Sequence, residues 1–211
     1  MIIKDGLFRP AAVSTYPFTW ARFTGLFDAT AGRALVEQFP SDELELHTSS
    51  VGSDKEYSVR SLTVSQDGKL TGPQLPQVWR QLVDDIQSSN FTTLIGRLSG
   101  TATRQDCCEI RLTEYERSYS MSPHTDRDDK LVTLVLYLMQ NWQPGDGGEL
   151  VILRSAAEQD VHAMIPPTIG SCAMIVRSPS SWHRVAAPTR SGLHRRALLV
   201  HFTRNEPKCE C

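Results

Sequence analysis

Ser122-Pro123-His124-Thr125-Asp126, read with Trp182-His183-Arg184 further along, decides how this chain is organised. Side chains of an extended segment alternate between two faces, so His124 and Asp126 project to the same side. A second histidine on a later strand, His183, would complete one triangular face around a metal. Two neutral imidazoles and one carboxylate on a single face, with the opposite positions open, suit Fe(II). A closed structural zinc site would instead draw four ligands, usually including cysteine. A lone His-x-Asp pair arises often by chance, so its weight depends on the strands around it.

Outward from that pair, the segments near 108–115, 131–139, 149–154, 171–177 and 195–202 are short, apolar and rich in β-branched or aromatic residues. Gly, Pro and Ser clusters separate them, a spacing that predicts a sandwich or barrel and not alternating βαβ units. Gly145-Asp146-Gly147-Gly148 lacks the spacing of a phosphate-cradling loop and precedes a strand, so it reads as a tight turn. Arg127-Asp128-Asp129-Lys130 reads as a solvated turn or, lying next to an open metal face, as a segment that touches substrate. Among the other histidines, His47 and His162 fall in segments read as irregular. His194 opens the last strand, and His201 lies inside it as packing.

The first half has a different character. A helix is predicted over 29–39, with Asp28 as N-cap and Pro40 as its stop. Residues 41–56 read as loop or irregular strand, residues 57–64 as a strand, and Asp67-Gly68 as a turn. From 76 to 98 the apolar stripe of Trp79, Leu82, Val83 and Ile86 predicts helix, with a break at Ser88-Ser89-Asn90. Helices first and strands afterwards predict a mostly β fold with flanking helices: a jelly roll, or double-stranded β-helix, carrying an N-terminal helical layer.

With 211 residues, 22% of them charged, and a net charge of −2, nothing points to nucleic acid or an anionic membrane surface. Met1 to Gly6 carry no apolar h-region, and the longest apolar run, 131–139, is too short to span a bilayer. Five cysteines without disulfide-like spacing fit a reducing compartment, so a cytoplasmic protein is expected. Cys209 and Cys211 read as part of a frayed tail.

Over 107–202 the sequence resembles the Fe(II)/2-oxoglutarate-dependent oxygenases, in their prolyl-4-hydroxylase-like branch. The residues carrying the resemblance are Tyr115, Pro123-His124-Thr125-Asp126, Lys130 to Leu138, Trp142, Gly147-Gly148-Glu149-Leu150, Trp182-His183-Arg184-Val185 and Arg195 to Phe202. It implies that His124, Asp126 and His183 ligate Fe(II). It also implies that Arg195 anchors the far carboxylate of 2-oxoglutarate, a role suited to a planar, permanently charged guanidinium. The interval from Arg184 to His194 is longer than usual for the family, so Arg196 competes for that role. Tyr137 and Tyr115 are the candidate hydroxyls in the same pocket, or else core aromatics bonded to backbone carbonyls.

The resemblance further implies O2 as co-reactant, with ascorbate as a reductant. Asp126 sits where related halogenases carry Gly or Ala, which favours hydroxylation over halogenation. The expected organisation is one oxygenase domain over 1–211, with helix-rich support over 1–106, a jelly-roll core over 107–204 and a tail over 205–211. The substrate class expected is a small amino-acid-like or biosynthetic molecule. A protein side chain, or a non-catalytic jelly-roll binding module, are the alternatives.

Overall fold

A computed structural model describes residues 1–3, 13–50, 55–71 and 74–204. Cys209, Cys211 and the 205–211 tail lie outside the described residues. Twelve strands run in one hydrogen-bonded sheet that curls into a nearly closed barrel, and all the pairings between named strands are antiparallel. In chain order these are β1 (Trp20–Phe23), β2 (Glu45–Ser49), β3 (Tyr57–Gln66), β4 (Lys69–Leu70), β5 (Cys108–Tyr115) and β6 (Met121–His124). They continue with β7 (Lys130–Tyr137), β8 (Leu150–Leu153), β9 (Val161–Ile165), β10 (Cys172–Val176), β11 (His183–Val185) and β12 (Arg195–Thr203). The spatial order is β1-β10-β7-β12-β5-β3-β6-β11-β8-β9, with β2 and β4 also paired to β3.

The sheet therefore takes β1 and β3 from the part of the chain read as helix-rich. β2, read as loop or irregular strand, carries His47, and β9 carries His162. Both strands lie at margins of the sheet, β2 largely exposed and β9 mostly half-buried, and neither shows a clear apolar alternation.

Alternation along β5, β7 and β12 sorts side chains between two environments. Ile110, Leu112, Val132, Leu134, Leu198 and Val200 face outward and pack against three helices, α1 (Ala29–Glu37), α2 (Gln77–Gln87) and α3 (Ser89–Ser99). Asp28 caps α1 by accepting from the Ala31 N–H at 2.8 Å. Ser88 both ends α2 and caps α3, its hydroxyl accepting from the Phe91 N–H at 3.2 Å, which is why two helices replace one here. Trp79 of α2 is fully buried, and its indole N–H donates to the Gln38 carbonyl at 2.9 Å, tying α2 to the end of α1. Burying such a side chain contributes on the order of 2–3 kcal/mol.

The inward row gathers Tyr115, Val135, Tyr137, Ile175 and Ala197 against Leu150, Ile152, Ile165 and Val185 of the facing strands. Several of this second cluster's members, among them Val135, Leu150 and Ile175, also line the cavity inside the barrel. No helix among the described residues is long and apolar enough to cross a membrane.

Candidate active site

Strand pairing brings the two histidines of the motif together. His183 on β11 and His124 at the end of β6 are direct cross-strand partners, with ring centroids 4.3 Å apart. Each ring donates its Nδ1–H to a backbone carbonyl two residues earlier, Ser122 for His124 and Ser181 for His183, both at 2.9 Å. A carbonyl can only accept, so both Nε2 lone pairs are left for a ligand. Asp126 follows immediately, and ligand atoms of His124, Asp126 and His183 all lie within 4.8 Å of one another.

Asp126 is held by a directed chain. The Thr133 hydroxyl donates to its Oδ2 at 2.6 Å, and the Lys130 ammonium donates to its Oδ1 at 3.0 Å. Thr133 Oγ1 in turn lies 3.0 Å from His201 Nδ1, and Lys130 Nζ lies 3.4 Å from His201 Nε2. Because Thr133 spends its proton on Asp126, His201 Nδ1–H donates to Thr133, and His201 Nε2 accepts from Lys130. His201 is thus no mere packing residue, and Lys130 is no part of a solvated turn. A polar residue on the inner row of an apolar strand gives no sequence signal of the partners it will meet.

Electrostatics fit the metal-ligand role. Burial alone would raise the Asp126 carboxyl, but the Lys130 ammonium, His183, His201 and the Thr133 hydroxyl together hold it well below the usual carboxylate range. Burial pushes His183 down, and pushes His124 well below the ordinary histidine value, with the facing His183 adding to the effect on His124. Neutral imidazoles beside an ionised carboxylate are the protonation states a divalent metal needs.

Arg195 enters the same cavity, one of about 440 Å³ that also reaches His124, Asp126 and His183. It is 1% exposed, and among the described residues no carboxylate lies within salt-bridge distance of it. Its Nε–H donates to the Gly148 carbonyl at 2.6 Å. The turn read at Gly147-Gly148 makes this possible, since both residues have positive φ. A Cβ on Gly147 would sit 2.1 Å from the Ala187 carbonyl oxygen, and one on Gly148 would press on the Arg195 side chain at 3.2 Å.

Register sets Tyr115 opposite Arg195 and Tyr137 opposite Ala197. The guanidinium carbon lies 5.0 Å from the Tyr115 ring centroid and 5.3 Å from that of Tyr137. The buried Tyr137 hydroxyl has no hydrogen-bond partner among the described residues. A buried cation without a counter-anion, next to an orphaned hydroxyl, is costly unless an anion with acceptor oxygens binds there. The carboxylate of 2-oxoglutarate fits that demand, and the three candidate ligands beside it fit Fe(II).

Arg196 points the other way. On the outer face its Nε donates to Glu114 at 2.7 Å and its Nη2 to Ser41 Oγ at 2.8 Å. Arg60 donates to the other Glu114 oxygen at 2.9 Å, and His194 Nδ1 lies 3.4 Å from the same carboxylate.

The sequence profile of the 2OG-Fe(II) oxygenase superfamily matches residues 110–204. No curated protein sequence matches the chain significantly. Among solved structures the chain is similar to a prolyl-4-hydroxylase of Pseudomonas putida, at 22% identity and a TM-score of 0.64, covering 88% of this chain and 92% of that one. It is also similar to a prolyl hydroxylase of Trichoplax adhaerens solved with a hypoxia inducible factor peptide, at 16% identity and TM-score 0.63, covering 87% and 83%. A third likeness is the epimerase SnoN of nogalamycin biosynthesis, at 13% identity and TM-score 0.57, covering 87% and 76%. These likenesses establish the fold, and the profile match assigns the family of residues 110–204. Residues 110–204, which carry the three candidate ligands and Arg195, are thus a 2OG-Fe(II) oxygenase segment, set in a chain with the prolyl-4-hydroxylase-like form of that fold, and the class of enzyme they indicate is a 2-oxoglutarate-dependent dioxygenase.

Proposed function

We propose that this chain hydroxylates an unactivated C–H bond of a small amino-acid-like or biosynthetic molecule, with His124, Asp126 and His183 holding Fe(II) and Arg195 and Tyr137 holding 2-oxoglutarate. When bound, Fe(II) and 2-oxoglutarate supply the oxygen activation, and 2-oxoglutarate leaves as succinate. The chain's own residues do the rest. The two Nδ1–H bonds to Ser122 and Ser181 fix the imidazole planes, and Thr133 fixes the Asp126 carboxylate. Arg195 supplies the charge that orients the far end of the cosubstrate, and the Tyr137 hydroxyl donates to the same carboxylate. Tyr115 stacks over the guanidinium and walls off that end from water.

The observation that carries the reading is a fully buried, anion-less Arg195 sharing one cavity with the three ligands. A module built only to bind a metal has no need of that guanidinium. The size of the cavity, about 440 Å³, supports a small substrate beside the cosubstrate. The near-neutral charge of the chain gives no support to a nucleic acid. The oxygenase domain takes in the N-terminal half as well, because β1 and β3 complete the sheet that holds the site.

The test is succinate formation from 2-oxoglutarate under air with added Fe(II) and ascorbate. Turnover in the parent that is lost in Asp126→Ala supports the reading. Equal turnover in both, or none in the parent once metal and 2-oxoglutarate are shown to bind, ends it.

A further inference from the structure

A bulge in β6 turns a sulfur toward the metal site. His183 and Val185 of β11, two residues apart, pair with His124 and Met121 of β6, three residues apart. β6 therefore carries one extra residue between them. Strict alternation would put Met121 and His124 on opposite faces, and the extra residue brings both inward. Met121 is accordingly half-buried, packs against the inner cluster and lines the same cavity as the three candidate ligands.

Its position along the barrel follows from β8. Ile152 pairs with His183, Leu150 pairs with Val185, and the Gly148 carbonyl accepts from Arg195. Val185 lies about 7 Å along β11 from His183, on the side of Arg195. Met121 stands opposite Val185, with Tyr57 of β3 as its other neighbour. The thioether thus lines the wall between the metal ligands and the cosubstrate anchor. It is the one sulfur among the described residues that line this cavity. A thioether takes up an oxygen atom readily, unlike the aliphatic side chains of Val59, Leu150 and Val185 around it.

We propose that Met121 is an oxidation site, its thioether converted to the sulfoxide when 2-oxoglutarate is turned over without substrate. This rests on the oxygenase reading above. O2 takes two electrons from 2-oxoglutarate as the C1–C2 bond breaks, and two from the sulfur lone pair as the O–O bond breaks. One oxygen atom ends in succinate and the other on sulfur, CO2 leaves, and no proton is gained or lost. The sulfoxide sets a polar group where an apolar one lined the cosubstrate's path. It therefore slows later turnovers, a brake that acts when substrate is lacking and that sulfoxide reduction releases.

The chain is incubated with Fe(II), 2-oxoglutarate, ascorbate and catalase under air, and each methionine is scored by peptide mass spectrometry. Met121 should gain an oxygen atom ahead of Met1 and Met164, which are 80% and 54% exposed. Hydrogen peroxide without 2-oxoglutarate or catalase should reverse that order, because a bulk oxidant meets the exposed thioethers first. The succinate rate should fall as Met121 is oxidised, hold steadier in the volume-conserving Met121→Leu, and recover in the parent after methionine sulfoxide reductase treatment. A second measurement needs no turnover. With Co(II) in place of Fe(II) and isotope-labelled methionine methyl groups, the Met121 resonance should show the largest paramagnetic broadening of the five. Succinate formed over many turnovers with Met121 intact, Met164 oxidised first, a parent rate that stays steady as the sulfoxide accumulates, or a Met121 methyl broadened no more than that of Met164 would each overturn the inference alone. Absence of succinate once metal and 2-oxoglutarate are bound would overturn the oxygenase reading and this inference with it.

Discussion

Arg195 and Arg196 are chain neighbours on β12, yet they inhabit opposite kinds of surroundings. On the outer face, Arg196 and Arg60 converge on Glu114, whose side chain is 1% exposed, and Ser41 completes the set. Arg60 also reaches Glu116 at 3.8 Å, so each arginine there has a carboxylate inside the protein. On the inner face, Arg195 is as deeply buried as Glu114 but meets a backbone carbonyl and two aromatic rings. The contrast separates two uses of a buried charge. A satisfied cluster specifies how strands and helices dock, whereas an unsatisfied one awaits a ligand. It also explains the parity of β12: Glu114 faces outward on β5, so drawing Arg196 toward it turns Arg195 inward.

Changes on the two faces should therefore separate activity from stability. The largest effect belongs to the inner face: Asp126→Ala should abolish succinate formation and weaken metal binding, with a smaller change in the unfolding midpoint than any outer-face deletion gives. A normal rate with iron supplied would remove Asp126 from the site. On the outer face, Glu114→Ala should cost about 2–4 kcal/mol in denaturant unfolding while leaving the 2-oxoglutarate dissociation constant of the folded protein alone. Breaking a fully buried pair costs more, but the Arg60 and Arg196 side chains remain 26% and 24% exposed and can reach water.

Thr133→Val keeps shape and removes the proton donated to Asp126. Metal affinity should fall by about ten- to a hundredfold, measured by competition with a chelator, and Thr133→Ser should restore much of it. An unchanged metal affinity in Thr133→Val would show that the hydrogen bond does not orient the ligand.

The mildest effect is on pH. Burial depresses His124, His183 and His201 in the folded state, so the unfolded chain binds more protons below an ordinary histidine value of about 6.5. Their contribution to stability is complete above that pH and is lost as pH falls from it toward the folded values. Metal-free protein should thus unfold at lower denaturant near pH 5.5 than near pH 8. The opposite slope would contradict buried neutral imidazoles.

Much of this was legible before any coordinates. His124, Asp126 and His183 converge as the motif predicted, because antiparallel pairing makes His183 the direct partner of His124. The helix stops at Pro40 and Ser88 follow local chemistry that acts over one turn. Arg195 against Arg196 was not decidable by alternation, since both rows of β12 are partly apolar; the deciding residue, Glu114, lies on another strand. The part of His201 and Lys130 in holding Asp126 was not legible, for a related reason. The inner wall of a ligand-holding barrel is polar, so its residues look like exposed ones until the facing strands enclose them.

The central claim is that Arg195 holds the cosubstrate while its neighbour holds the fold. The direct measurement is the 2-oxoglutarate dissociation constant of Arg195→Ala and Arg196→Ala beside the parent, with Fe(II) present and air excluded. A charged hydrogen bond contributes roughly 1.5–3 kcal/mol, so Arg195→Ala should bind at least about tenfold more weakly, with iron affinity retained. Arg196→Ala should bind 2-oxoglutarate like the parent and unfold earlier. The reverse pattern, affinity lost in Arg196→Ala and kept in Arg195→Ala, would contradict the account.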